Sequence, residues 1–429
     1  MVILGIETSC DETAICLIET GEITPTLNFK VLGDELISQV NIHEHYGGVF
    51  PMMAKREHGK NLIPLFLKLL KNSADSRFMI QDSGKENPKS NLPTYKLTNL
   101  QTILDREPEL GEQFMKTLVD MGKPAIDAIA ITEGPGLEPA LWVGINFARA
   151  LSALWDIPVI PVNHMEGHIV SALVSAETAD QRGLNADTRR LISKENTPPA
   201  LTPNTLHLTP VHYPALALLI SGGHTELVLI KKWKQYEIIG QTRDDAVGEA
   251  FDKVARILGL PYPGGPHISA LAEKNRLRPN LQTYHLTNLQ TVSLPRPMLH
   301  SKDYDFSFSG LKTAVLYLVR KITKITPKIK QEISMEFENA VTEVLIAKTE
   351  RAIQEFGIET LILGGGVIAN NHLRKAFDDL GKKMNVPVLI PPHNLTTDNA
   401  LMIALAGAFG SPMKNSILLS AKGNLRIDK

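Results

Sequence analysis

Two imidazoles four residues apart are the sharpest chemical signal in the chain. In Asn163-His164-Met165-Glu166-Gly167-His168, a helix would bring both rings to one face with Cβ atoms about 5–6 Å apart, close enough to grip one metal ion. The same segment argues against a zinc peptidase. That chemistry needs HExxH, with the glutamate directly after the first histidine. Glu166 comes two residues after His164, roughly 200° round a helix, and cannot serve the same metal-bound water. Asp398, after an apolar strand at 386–390 and before an apolar helix at 400–409, offers a carboxylate that could close a His-His-Asp set. Thr397 or Asp398 suits the N-cap of that helix equally well.

Glycine turns supply a second kind of chemistry. Ser221-Gly222-Gly223-His224 lies between strands at 215–220 and 227–230, where glycine lets a ligand phosphate approach backbone N–H groups, or serves a plain hairpin. Gly364-Gly365-Gly366 links a strand at 360–363 to a helix at 370–380; a helix start after such a turn attracts anions, although this is neither GxGxxG nor a Walker loop. Residues 244–256 read as an amphipathic helix with Asp252 and Arg256 spaced for a surface ion pair. The stiff turn Pro263-Gly264-Gly265-Pro266 exposes Gly265 to a ribose or base. Ser309-Gly310-Leu311-Lys312 matches S-x-x-K, but no S-D-N or K-T-G accompanies it. Lys312 is kept as a phosphate contact.

Strands expected at 2–6, 14–18 and 36–41 make an antiparallel opening, and later apolar strands at 126–132, 215–220 and 360–363 alternate with helices such as 334–356. That mixture predicts an α/β fold. Three polar stretches, 72–113, 175–213 and 276–291, lack apolar periodicity and read as surface insertions. The first and third share a near-copy, TYKLTNLQT from Thr94 and TYHLTNLQT from Thr283, which reads as one duplicated element because a solenoid needs at least three units. With 429 residues, 43% hydrophobic and 21% charged, the chain calls for two domains. Its apolar runs fall short of a bilayer span. The start MVILGIETSC lacks a basic region and a cleavage signal. Cys10 and Cys16 form neither a disulfide framework nor a CxxC pair. A cytoplasmic protein is expected. The formal net charge of −1 excludes coating of nucleic acid by bulk electrostatics, so RNA binding must be local or shared with a partner.

Taken in order, Glu7-Thr8-Ser9-Cys10-Asp11-Glu12-Thr13, His45-Tyr46-Gly47-Gly48-Val49, Gly134-Pro135-Gly136-Leu137, and segments 163–168, 221–225, 248–253, 262–266, 306–312, 365–370 and 398–399 resemble the tRNA threonylcarbamoyladenosine transferase family (TsaD type). Its members once carried the label O-sialoglycoprotein endopeptidase. The resemblance implies the two-lobed actin, Hsp70 and sugar-kinase fold with a cleft between lobes. It places the first lobe at 1–160 and the second at 161–429, the last helix returning to the first. It implies that His164, His168 and Asp398 hold one divalent ion, iron or zinc. Leu219, Ile220, Ser221, Gly222 and Gly223, with Asp252, Gly265 and Asn370, would hold an adenylate and its threonylcarbamoyl arm. Asp11 matches an acidic position near the site and is a candidate proton acceptor.

The implied activity is transfer of threonylcarbamoyl from threonylcarbamoyl-AMP to the exocyclic amine of adenosine 37, in tRNAs reading codons that start with adenine. The implied partners are tRNA and pathway proteins, in bacteria a paralogous non-catalytic subunit and a small ATPase, with no membrane. The alternative is an ATPase or small-molecule kinase of the same fold. One departure from the family pattern stands after Val49-Phe50-Pro51, where a glutamate is usual and Met52 and Met53 follow; any acid role at that point is lost.

Overall fold

The computed structural model describes residues 1–21, 27–73, 75–78, 92–176, 206–277, 292–413 and 415–429. In chain order the first elements are β1 (Val2–Glu7), β2 (Glu12–Thr20), β3 (Asn28–Ser38), α1 (Val40–His43), α2 (Pro51–Asn72), α3 (Thr94–Leu104), α4 (Pro108–Thr117), β4 (Ala128–Gly134), α5 (Glu138–Trp155), β5 (Val159–Asn163), α6 (His164–Ser171), β6 (Val174–Ala176) and β7 (Leu206–Leu208). There follow β8 (Ala215–Ile220), β9 (Thr225–Lys232), β10 (Gln235–Gln241), α7 (Val247–Ile257), α8 (Gly264–Arg276), α9 (Ser309–Arg320), α10 (Pro327–Phe356), β11 (Thr360–Gly364), α11 (Asn371–Met384), β12 (Val388–Leu389) and α12 (Ala400–Ala408). They form two compact units, one of Met1–Ser38, Pro51–Pro210 and Asp398–Leu425, the other of Gln39–Phe50, Val211–Thr397 and Arg426–Lys429.

The first unit is built on a sheet ordered β5-β4-β1-β2-β3-β7-β6. β1, β2 and β3 form an antiparallel meander, while β4 runs parallel to β1, and β5 parallel to β4. Every residue of β1 is buried, as a strand covered on both faces requires. Leu4 and Ile6 enter a core with Leu62 and Phe66 of α2 and Phe147 and Leu151 of α5. On the opposite face Gly5 lies under α12, where a Cβ would meet the Ala400 carbonyl and Ala404. The second unit repeats the order in β10-β9-β8-β11-β12, with an antiparallel meander from β8 to β10, and β11 parallel to both β8 and β12. Its core joins Leu216 and Leu218 to Phe251 of α7 and Phe337 of α10. This five-strand order, present twice, is the α/β architecture the family resemblance called for.

Three boundaries differ from expectation. The segment 161–210, assigned from sequence to the second lobe, belongs to the first unit, because β5 pairs with β4 and α6 packs on α12. The third strand runs Asn28–Ser38 rather than 36–41, and pairs with β2 along its length across a bulge at Leu17/Ile18; its charged residues and Gly33 masked the alternation. The insertion at 72–113 holds α3 and α4, anchored in the first core by Leu100, Ile103, Leu104, Leu110 and Phe114. Those anchors follow the i, i+3, i+4 spacing of a helix, thinned by Thr, Asn and Gln. The first TYxLTNLQT copy is therefore the helix α3. The second copy lies outside the described residues, as do 177–205 and 278–291.

Candidate active site

The parallel strands β1, β4 and β5 end on one edge of the first sheet, where open α/β sheets gather their ligands. Glu7 ends β1, and His164 follows β5 directly as the first residue of α6. The Asn163 side chain caps this helix by accepting from the Met165 N–H at 2.9 Å. Four residues on, His168 shares the His164 face, and the ring centroids are 4.7 Å apart. Gly167 between them allows close contact with α12, since a Cβ there would sit 3.1 Å from Met402. Asp398 precedes α12. The cap of α12 is neither Thr397 nor Asp398 but Asn399, whose side chain accepts from the Met402 N–H. That leaves the Asp398 carboxylate free to face the histidines.

His164 Nε2 and His168 Nε2 each lie 3.3 Å from Asp398 Oδ1. One ligand atom from each of the three residues falls within 4.8 Å of the others. The other His164 nitrogen, Nδ1, faces Glu7 Oε2 at 3.2 Å and Ser9 Oγ at 3.3 Å. Glu7 is fully buried and also accepts from the Ser9 N–H and Thr132 Oγ1, each at 2.5 Å. Burial pushes the His164 pKa down, but Asp398 and Glu7 outweigh it and raise it well above the usual histidine range. For His168 burial prevails and lowers it. Burial would raise Asp398, yet the two histidines hold its carboxyl below the ordinary range. The donors suit a borderline divalent cation: two imidazole nitrogens and a carboxylate oxygen. The fit has an independent sign. His168 is buried, and neither ring nitrogen makes a hydrogen bond with a described residue although Nε2 lies 3.3 Å from Asp398 Oδ1; an ion would satisfy Nε2. Glu166 stays outside this group.

Asp11 is buried in the loop between β1 and β2. Beside it Glu12, which sequence reasoning passed over, has its carboxyl pushed well above the usual range by burial, then by Asp11 and Asp398. His58 of α2, also missed, fixes this loop through Thr13 Oγ1 at 2.8 Å and the Cys10 carbonyl at 3.1 Å. Met52 is an exposed residue in the first turn of α2.

In the second unit the turn Ser221–His224 closes β8 on β9, with the Ser221 N–H donating to the His224 carbonyl. Leu219 and Ile220 are fully buried strand residues, paired with β9 and, at Leu219, also with β11. Gly248, at the start of α7, packs against Ser221 and Gly222, and Gly365, at φ 94°, lies against the Ile220 carbonyl. Packing therefore explains these two glycines. It does not explain Gly222, Gly223 or Gly265, where a Cβ would meet nothing within 4 Å. Asp252 makes no ion pair with a described residue; its Oδ1 accepts from the Gly264 N–H at 2.7 Å and caps α8. Arg256 donates instead to the Gly47 carbonyl. Asn370 caps α11 with its oxygen and donates to Glu338 and Ser269. The S-x-x-K serine is explained by capping too: Asp244 accepts from the Phe308 and Ser309 N–H groups and from both Ser307 and Ser309 hydroxyls.

A duplicated α/β protein with a buried His-His-carboxylate group and open glycine turns is thus defined. Comparison with known proteins narrows it. The family model TsaD, tRNA N6-adenosine threonylcarbamoyltransferase, matches residues 30–77, 109–186 and 199–405. Proteins described by the same words occur in Thermosipho africanus, 37% identical over the whole of both chains, and in Polynucleobacter necessarius, 38% identical over 97% of this chain and 94% of the other. Another, in Bacillus cereus, is 34% identical over 100% and 97%. The chain belongs to the tRNA N6-adenosine threonylcarbamoyltransferase family, acyltransferases that place a threonylcarbamoyl group on adenosine 37 of tRNA.

Proposed function

We propose that this chain carries out that transfer with threonylcarbamoyl-AMP as donor and one iron or zinc ion held by His164, His168 and Asp398. The observation that carries the reading is the convergence of those three ligand atoms within 4.8 Å. When bound, the ion supplies a Lewis acid and template for oxygens of the threonylcarbamoyl arm. The turn Ser221, Gly222 and Gly223, carried by Leu219 and Ile220 of β8, with Gly265, forms the surface for the adenylate, supported by glycines that packing does not demand. Asp252 and Asn370 hold the frame of that surface, since their polar atoms cap α8 and α11.

The adenosine N6 amine attacks the carbamoyl carbon, the bond from that carbon to the AMP oxygen breaks, and one N6 proton leaves. Asp11 is the candidate acceptor, with Glu12 adjacent to relay or share the proton. Because the anhydride is already activated, positioning supplies most of the acceleration. The setting is the cytoplasm, with partner proteins of the pathway strengthening tRNA capture. Among the described residues no helix is long and apolar enough to cross a membrane.

The test is purified chain with threonylcarbamoyl-AMP, unmodified tRNA and any required partners, read by nucleoside mass spectrometry and metal analysis. His164→Ala should lose both the ion and the modified nucleoside. Full transfer by a metal-free His164→Ala protein would overturn the metal assignment.

A further inference from the structure

Between Phe306 and Gln331 the chain has no acidic residue, while Lys312, Arg320, Lys321, Lys324, Lys328 and Lys330 all fall within this stretch. Six cations here stand against a formal net charge of −1 for the whole chain. The segment covers α9 and the start of α10. Arg320, Lys321, Lys324 and Lys328 are exposed, and Lys312 and Lys330 are half-buried. Several other basic residues of the second unit are spent within the fold: Arg243 on Asp303 and Asp305, Lys253 on Asp245 and Glu249, Arg276 on Glu338, and Arg296 on Glu336 and Glu343. Among the described residues Lys328 pairs weakly with Glu332, at 3.8 Å. Lys312, Arg320, Lys321, Lys324 and Lys330 form no ion pair with any described residue.

We propose that this surface is where the second unit grips the phosphate backbone of the tRNA substrate, a reading that rests on the proposed function above. Unpaired cations concentrated in one strip release counterions from a polyanion, which a dispersed charge of the same size does not achieve. Tyr317 adds a second feature. It is 57% exposed and sits on α9 one turn before Arg320 and Lys321, so an exposed aromatic face adjoins the cations; such pairings take unstacked bases of RNA. The opposite face of α9, with Leu311 and Val315, is buried in the core and packs on α7, the helix that bears Asp252. The strip is thus rigidly attached to the helix carrying an expected donor-site residue. Backbone contacts here would fix the tRNA without reading its sequence, as an enzyme acting on several tRNAs requires.

The test is binding of the full chain to an unmodified tRNA transcript, measured by fluorescence anisotropy across a salt series. The triple variant Arg320→Glu, Lys321→Glu, Lys324→Glu should weaken binding at least tenfold and lower the slope of log K against log salt by about 2. Tyr317→Ala should weaken it about tenfold with the slope unchanged. A matched control, Lys68→Glu, Lys71→Glu, Lys116→Glu, changes the same charge on α2 and α4 and should alter binding far less; melting curves verify folding of each variant. Equal losses in both triple variants, or an unchanged slope in the first, overturn the inference. So does loss of binding to an acidic protein or to phosphatidylserine vesicles while tRNA binding persists. If the wild-type chain modifies tRNA and the first triple variant does so equally well at limiting tRNA, this inference falls and the proposed function stands. If the wild type with its partners modifies no tRNA, the underlying reading falls first.

Discussion

Glu7→Gln isolates the part of the proposed metal site that touches no metal. The buried Glu7 carboxylate receives three contacts, from the Ser9 N–H, Thr132 Oγ1 and His164 Nδ1. Glutamine has the same shape, but one of its two ends donates where an acceptor is needed. With the oxygen toward His164, the amide nitrogen faces the Ser9 N–H; turned round, it faces His164 Nδ1. Either way a buried donor loses its acceptor, at a cost of about 1–3 kcal/mol in folding stability. The second effect falls on the ion. A ligating imidazole depends on its other nitrogen to fix tautomer and ring angle, and losing that support weakens metal binding by about 10–100-fold, or roughly 1.4–2.8 kcal/mol. Competition against a chromophoric chelator with Zn2+ measures the second effect, and chemical denaturation measures the first. Transfer activity of Glu7→Gln should recover with excess metal, which no amount of ion restores in His164→Ala. Metal affinity within twofold of wild type, alongside the expected stability loss, would refute the reasoning and leave Glu7 a purely structural anchor.

Metal affinity should also depend on pH in a defined direction. The metal-free fold holds the His164 proton above the usual histidine range, so the ion must displace that proton, and affinity rises by up to about tenfold per pH unit until the proton is gone. Chelator competition at about pH 6 and pH 8 checks this, and equal affinities would contradict the assigned coupling. Gly167→Val should push α6 away from Met402 of α12, separating the histidines from Asp398. It should cost about 1–3 kcal/mol in stability by overpacking and lower metal content measured by mass spectrometry of the intact protein. In the second unit, Glu338→Ala leaves Arg276 and the Asn370 amide without their shared partner. Because Arg276 keeps Asn339 and the Asn370 amide keeps Ser269, a loss of about 1–3 kcal/mol in denaturation is expected, with weakened binding of an adenylate analogue by calorimetry.

How much of this was legible follows from the range over which each interaction acts. The histidine pair was readable because helix periodicity alone brings i and i+4 together, and α6 does so. Asp398 is 230 residues further on than His168, so its convergence came from resemblance and not from spacing. Glu7 and His58 gave no local sign of their roles. Their partners, His164 and Thr13, lie on other strands or helices, and only the paired sheet and the packing of α2 bring them within reach. Local reasoning also misjudged where chemistry was redundant. The Asp252–Arg256 spacing suits an ion pair, but a competing backbone N–H at Gly264 claimed the carboxylate. Thr397 and Asp398 suited a cap that Asn399 took.

The two sheets share one strand order, yet the end of the first meander strand does different work in each. At the end of β1 come Glu7, Thr8 and Ser9, of which Glu7 and Ser9 meet His164, the proposed ligand. After β8 come Ser221, Gly222 and Gly223, where side chains are withdrawn and the main chain is left open. Both positions lie at carboxyl ends of parallel strands, so the backbone scaffold is equivalent and residue type alone decides the chemistry. Side chains there could be exchanged without altering the strand order. Gly222→Ala and Gly223→Ala should accordingly leave stability within about 0.5 kcal/mol, because no neighbour stands within 4 Å of the added Cβ. Weakened adenylate binding with that stability retained would mark the turn as a ligand surface; unchanged binding would return it to a plain hairpin.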